Sequence, residues 1–243
     1  MGLEEAAAIL ERTRALYSNL QSYADEGSVT CNFESANRRP QQSRIQFSTR
    51  FRRDGAFFFE YHEERVELAS RRRTAIWGRP GSYKRWFHTR PDEIREWPDP
   101  SRHIAAATGV SRGSAALVPA LLGLLRHARL PKAEAIERVE RTQQADSECD
   151  ELWFKSIEGD PTRLRVDAQS SLLLAKHSRA SFTEERLLQV RERRARVLAH
   201  RKNAPPLLPR RLPGPFESIT LLELEPRIDI ELADSEFEFE PPS

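Results

Sequence analysis

Residues 45–61 read Ile45-Gln46-Phe47-Ser48-Thr49-Arg50-Phe51-Arg52-Arg53-Asp54-Gly55-Ala56-Phe57-Phe58-Phe59-Glu60-Tyr61. Ile45, Phe47, Thr49 and Phe51 alternate with Gln46, Ser48, Arg50 and Arg52; Phe57, Phe59 and Tyr61 alternate with Phe58, Glu60 and His62. A period of two with one apolar face marks half-buried antiparallel strands. Asp54-Gly55 between the two runs is a strong hairpin signal. Upstream, Val29, Cys31 and Phe33 keep the same alternation. Downstream the meander continues through residues 73–78, 83–90 and 94–97. Its breaks fall at Arg79-Pro80-Gly81-Ser82 and Arg90-Pro91-Asp92, where Pro fixes φ and Gly admits positive φ.

Residues 3–18 precede this sheet as an Ala-rich helix with Ile9, Leu10, Leu16 and Tyr17 at near-helical spacing. Pro98 and Pro100 end the meander, and residues 104–107 and 114–125 follow as two short helices. Strands resume at 136–142, 152–157, 164–166 and 172–177, with turns at Gly159-Asp160-Pro161 and around Gln169. Residues 183–202 have a helical composition, and Pro205, Pro206, Pro209, Pro213 and Pro215 make a loop or stiff linker before a last strand region near Ile219. The order is helix, many consecutive strands, short helices, more strands. That excludes the β-α-β-α rhythm of a parallel sheet. The fold class expected is α+β, one domain over residues 1–243 built on a large antiparallel meander.

Composition narrows the function classes. Thirty-nine basic and 37 acidic residues leave a formal charge of +2, so no global field advertises nucleic acid. Arg outnumbers Lys 34 to 5, so runs such as Arg71-Arg72-Arg73 carry little local information, and nucleic acid is not an expected partner. Two Cys exclude a disulfide-rich scaffold and a Cys-only zinc cluster; Cys31 and Cys149 are either two buried thiols or one bridge. The apolar run 115–125 has eleven residues, contains Pro119, and is too short to span a bilayer. Met1-Gly2-Leu3-Glu4-Glu5 lacks the basic start and apolar stretch of a secretory leader, and Ala6 stands where a myristoylation motif wants Ser or Thr. The chain therefore reads as cytoplasmic, or as a mature exported protein. Residues 182–211 hold nine basic and three acidic side chains, residues 217–243 one basic and nine acidic. A solvated surface is the expectation; docking of the basic segment on the acidic last strands is the alternative.

Chemical motifs are sparse. Gly109-Val110-Ser111-Arg112-Gly113 matches G-x-S-x-G, but a nucleophile elbow needs a strand before the turn and a long helix after it. Here a helical composition precedes it. A serine esterase using Ser111, with Asp167 and His177 or His200, remains a remote alternative. The six histidines show neither H-x-x-x-H nor H-E-x-x-H spacing, and no Walker loop or dinucleotide fingerprint occurs. No metal, cofactor or enzymatic activity is expected. What stands out is the mass of aromatic side chains on one face: Phe47, Phe51, Phe57, Phe59 and Tyr61, with Trp77 or Trp86, lining one concave surface. Two readings stand. Either helices close this surface as an ordinary core, or an apolar cavity lies between sheet and lid, suited to fatty chains.

The residues also resemble a known family. The opening helix at 6–20 leads into Gln21-Ser22-Tyr23-Ala24-Asp25-Glu26-Gly27-Ser28-Val29-Thr30. Phe47-Ser48-Thr49-Arg50-Phe51-Arg52-Arg53, the strand of Phe57, Phe58 and Phe59, Ile104-Ala105-Ala106-Ala107-Thr108-Gly109-Val110-Ser111 and Phe237-Glu238-Phe239-Glu240-Pro241-Pro242 follow in order. Together these resemble the LolA-like superfamily of bacterial lipoprotein and lipid carriers, over residues 5–180 and 217–242. The resemblance implies a half-open antiparallel barrel with an N-terminal helix and short capping helices. It also implies a place in the periplasm or cell envelope, and binding of lipid or lipoprotein acyl chains without catalysis. Some relatives instead sense mislocalised lipoproteins, so an envelope sensor or interaction module, with membrane proteins of the envelope as partners, is the alternative. The expected lining is Phe47, Phe51, Phe57, Phe59, Tyr61, Trp77 and Trp86 with Leu117, Leu121 and Leu125 of the cap, in a monomer. The basic segment, with its Pro-rich continuation to residue 216, reads as an insertion.

Overall fold

The computed structural model describes residues 2–35, 38–65, 70–108, 111–125, 130–144, 147–156, 158–199 and 214–242. Helix α1 (Leu3–Asn19) is followed by strands β1 (Ser22–Ser35), β2 (Arg38–Arg52), β3 (Phe57–Arg65), β4 (Ser70–Arg79), β5 (Ser82–Phe87) and β6 (Arg90–Trp97). Two eight-residue helices, α2 (Ser101–Thr108) and α3 (Ser114–Leu121), lead to β7 (Ile136–Gln144), β8 (Ser147–Lys155), β9 (Pro161–Asp167) and β10 (Leu173–Phe182). Helix α4 (Glu184–Ala199) and strand β11 (Phe216–Ile228) complete the order. The Pro-rich stretch of the insertion lies outside the described residues.

Among the described residues the eleven strands form one antiparallel sheet in the order β6-β5-β4-β3-β2-β1-β11-β10-β9-β8-β7. Strand β11 returns from the far end of the chain to sit between β1 and β10, joining two meanders into one surface. The sheet is open: β6 and β7 each pair on one edge only. It curls around α1. One apolar cluster joins Ile9, Leu10 and Tyr17 of α1 to Ile76 and Tyr83 towards one edge and Val139 and Leu152 towards the other. The expected α+β arrangement, with an N-terminal helix and short helices on a large curved sheet, is thus what the chain adopts.

Local chemistry explains the curvature. Gly27 on β1 faces Phe47 on β2, and a Cβ at Gly27 would lie 2.3 Å from the Phe47 ring and 2.6 Å from the Glu223 carbonyl oxygen. Glycine therefore lets the ring lie across the strand. Asp54-Gly55 makes the expected turn, with Gly55 at φ 94 and the Asp54 carboxylate accepting from the Ala56 N–H at 3.0 Å. The C-terminus of α1 is held by Arg53, whose guanidinium donates to the carbonyls of Leu20 (2.7 Å) and Tyr17 (3.2 Å). A cation there also meets the negative end of the helix dipole.

Two sequence expectations are corrected. The break placed at Arg90-Pro91-Asp92 falls instead at His88-Thr89, and β6 runs through Pro91. Proline is tolerated there because β6 is an edge strand and its register slips between its pairings with Trp86 and Phe87. Trp77 and Trp86 lie on the opposite face of the sheet from Phe47, Phe51, Phe57, Phe59 and Tyr61. They form a second cluster with Ala24, Ala56, Phe58, Ala75, Leu232 and Phe237. In the described part of the basic segment, Arg186 stands in the first turn of α4. Its guanidinium pairs with Asp160 (2.6 Å) and Glu158 (2.7 Å) in the β8–β9 turn.

Candidate functional site

The concave face is built by alternation. Phe47 stands opposite Tyr61, Thr49 opposite Phe59 and Phe51 opposite Phe57, and each aromatic of this set is at most 3% exposed. Phe59 packs between Phe47 (centroids 6.1 Å) and Tyr61 (6.3 Å). Above them lie α1 and the α2–α3 pair, which contribute Ile104, Ala107, Ala115, Val118 and Leu122 to the same cluster. The five sheet aromatics are therefore together, as expected, and packed against helices in this conformation.

The cap is anchored by buried side chains and by His103, whose Nε2 lies 2.9 Å from the Tyr83 carbonyl oxygen. Ser111 is buried; its N–H donates to the Ala107 carbonyl (2.9 Å), and its Oγ accepts from the Ala115 N–H (3.1 Å). That hydroxyl caps the first turn of α3. Gly109 and Val110 of the G-x-S-x-G motif lie outside the described residues. Pro119 inside α3 removes a backbone donor from an already short helix. Leu117, Leu121, Leu124 and Leu125 are half-buried, packed on the rim of the core with Phe33, Ile136 and Phe154. Arg112 lies over the Phe33 ring at 5.0 Å.

Two polar groups on this face were not singled out from the sequence. Asp25 is 1% exposed; Tyr23 Oη donates to its Oδ2 at 2.7 Å, while among the described residues its Oδ1 and the Oγ1 of the facing Thr49 have no hydrogen-bond partner. Burial pushes the Asp25 carboxyl up to about 7, against the Tyr23 hydrogen bond. Tyr17, whose hydroxyl accepts from the Leu173 N–H at 3.2 Å, is raised by the same burial. Lys176 stands in register with Leu164 and Leu222, and burial lowers its amine. The phase of Asp25 with Tyr23, Val29 and Cys31 was the available signal, and Lys176 is likewise in phase with Ser178. The thiols are two separate buried groups; Cys31 Sγ contacts Thr220 Oγ1 at 3.1 Å.

The other face carries a C-terminal strap. Beyond β11, Phe239 packs on Trp77 (5.1 Å) and Trp86 (5.5 Å), and Arg73 and Arg52 stack on Phe239 and Phe237. Asp234 takes Arg52 and Arg79, each at 2.8 Å. Beside the strap lies a hollow of about 1020 Å³ lined mainly by polar side chains, including Glu26, Arg50, Glu60, His62, Arg165 and Glu223. Glu26 and Glu225 face each other in register there. Burial raises the Glu26 carboxyl, opposed by Arg50 and Arg227.

No protein-family model matches the chain, and no curated protein matches it. Among solved structures the chain is similar to a DUF1329 family protein from Desulfovibrio piger, at 12% identity over 97% of both chains with a TM-score of 0.39. It is similar to LprF from Mycobacterium bovis, at 9% identity over 95% of both chains with a TM-score of 0.42. It is also similar to a LolA superfamily protein from Nitrosomonas europaea, at 12% identity over 96% of this chain and 97% of that one, TM-score 0.34.

Proposed function

We propose that this protein is a non-enzymatic, monomeric, single-domain carrier or binder of lipid or lipoprotein acyl chains in the cell envelope. The acyl chain would lie on the concave face beneath the α2–α3 cap. One observation carries this reading: a continuous aromatic and aliphatic surface from many strands is closed along one side by two eight-residue helices, one interrupted by proline, whose outer leucines are only half-buried. In the present conformation Phe47, Phe51, Phe57, Phe59 and Tyr61 are packed. Admission of a chain therefore means displacing α3, with methylenes taking the contacts of Leu117, Leu121 and Leu125. Each methylene removed from water contributes about 0.8 kcal/mol, so ten offer roughly 8 kcal/mol before ordering costs. Among the described residues no helix is long and apolar enough to cross a membrane.

Titration with a fluorescent long-chain fatty acid tests the reading. Saturable one-to-one binding is expected, weakened at least tenfold by Leu121→Asp. Leu3→Asp, a change at the exposed start of α1, should leave it unchanged. Absence of binding by a folded wild-type chain would overturn it. A second reading, an interaction module on the same scaffold, is favoured by the close packing of the concave face and the polar hollow opposite. It expects partner binding without any lipid uptake.

A further inference from the structure

The β5–β6 hairpin at the free edge of the sheet holds a group of arginines that its own carboxylates do not neutralise. Arg85 on β5 and Arg95 on β6 are register partners, so their side chains leave the same face of the sheet. Like charges directly opposite one another on paired strands are destabilising. Arg85 is also buried, at 9% exposure, and among the described residues its Nε has no hydrogen-bond partner. Its guanidinium lies over the Phe87 ring at 4.4 Å, a contact that shields it without balancing its charge. The one carboxylate of the group, Glu93, is already engaged: Arg90 Nη1 donates to Oε2 at 3.1 Å and Arg95 Nε donates to Oε1. Arg85, Arg90 and Arg95 against Glu93 leave two positive charges around a hollow of about 320 Å³, which Phe87 and Thr89 complete. Burial and the neighbouring Arg95 and Arg90 lower the Arg85 pKa, opposed by Glu93.

A buried donor without a partner is destabilising, more so when the group is charged. Solvation is the ordinary outlet for an arginine on an edge strand, and Arg85 has lost most of it. An anion in the hollow would satisfy the Nε–H, separate Arg85 from Arg95 and balance the charge at once. A carboxylate brings one charge, and Glu93 already supplies one. A phosphate group brings up to two, and its tetrahedral oxygens can accept from several guanidinium forks together. We propose that the β5–β6 hairpin is a phosphate-binding site, formed by Arg85, Arg90, Arg95 and Thr89, for free phosphate or for a lipid phosphate headgroup. The site shares the face of Ile76, which stands in register with Arg85, but its donors belong to the sheet edge and its lining includes neither Leu121 nor the five sheet aromatics of the acyl-chain reading.

The test compares inorganic phosphate, a soluble dioctanoyl phosphatidic acid and dioctanoylglycerol by titration calorimetry against the full chain, with chloride at matched ionic strength as reference. Arg95 is 43% exposed along its side chain, so Arg95→Gln is tolerated by the fold. Phosphate or phosphatidic acid is expected to bind at one site, and Arg95→Gln and Arg85→Gln to weaken that binding at least tenfold. Without ligand, Arg95→Gln should melt no lower than wild type, because the opposed charges are relieved; a merely structural Arg95 would lower it. Phosphate binding at that site indicates free phosphate, whereas binding of phosphatidic acid alone, well above dioctanoylglycerol, indicates a headgroup. Binding no stronger than chloride, or binding that Arg95→Gln leaves unchanged, would overturn the proposal. Fatty-acid uptake measured on the same variant should not change, which separates failure here from failure of the acyl-chain reading.

Discussion

Asp25 concentrates the tension between burial and polarity at a single position. Tyr23 donates to one carboxylate oxygen, Thr49 faces the group, and among the described residues the other oxygen has no hydrogen-bond partner at 1% exposure. Its folded pKa of about 7 exceeds the ordinary 3.8. The folded chain therefore holds this proton more tightly than the unfolded one. The stability linked to Asp25 is fully present below about pH 4 and is lost as pH rises through 7. Three units correspond to about 4 kcal/mol at most. Asp25→Asn, which keeps an acceptor for Tyr23 and adds a donor towards Thr49, should stabilise the protein at pH 8. The gain should shrink towards pH 4, as read by urea unfolding at both pH values. A gain independent of pH would show that Asp25 is not the titrating group. Little of this was legible beforehand, because alternation assigns a residue to a face but does not say how completely a helix will cover it.

Between elements, the strap after β11 explains the main misreading of the site. Phe57, Phe58 and Phe59 are consecutive aromatics, and so are the apolar Ile76 and Trp77; a run apolar on both faces gives no phase. Phe57, Phe59 and Ile76 face α1 and the cap, whereas Phe58, Trp77 and Trp86 face the strap. The strap reaches them from more than 130 residues downstream in sequence, and no local period encodes such a contact. By contrast, Phe47, Phe51, Phe57, Phe59 and Tyr61 were placed on one face correctly because their polar neighbours, Gln46, Ser48, Arg50, Glu60 and His62, fix the phase. The assignment carries a consequence for Phe239, which packs on both indoles. Phe239→Ala should red-shift tryptophan emission and cost about 1–3 kcal/mol of stability, yet leave fatty-acid affinity within twofold. A parallel loss of affinity would mean that the two faces are not separate.

Across the whole molecule, an open sheet of eleven strands bends around one long helix and presents different chemistry on its two sides. The alternation of 45–61 was sufficient to read the antiparallel architecture. The return of β11 between β1 and β10 was not readable, since strand order depends on pairing over long sequence separations. Under the proposed function, binding depends on whether the α2–α3 cap opens to an acyl chain. Its helices are short and α3 is interrupted by Pro119, yet Ile104, Ala107, Ala115 and Val118 are fully buried, so opening must break those contacts. Hydrogen exchange of the full chain, with and without saturating oleate, addresses this directly. Changed protection centred on residues 101–121 is expected, with the strap at 229–242 unaffected. No change anywhere, or change confined to the polar hollow beside the strap, would contradict acyl-chain binding beneath the cap.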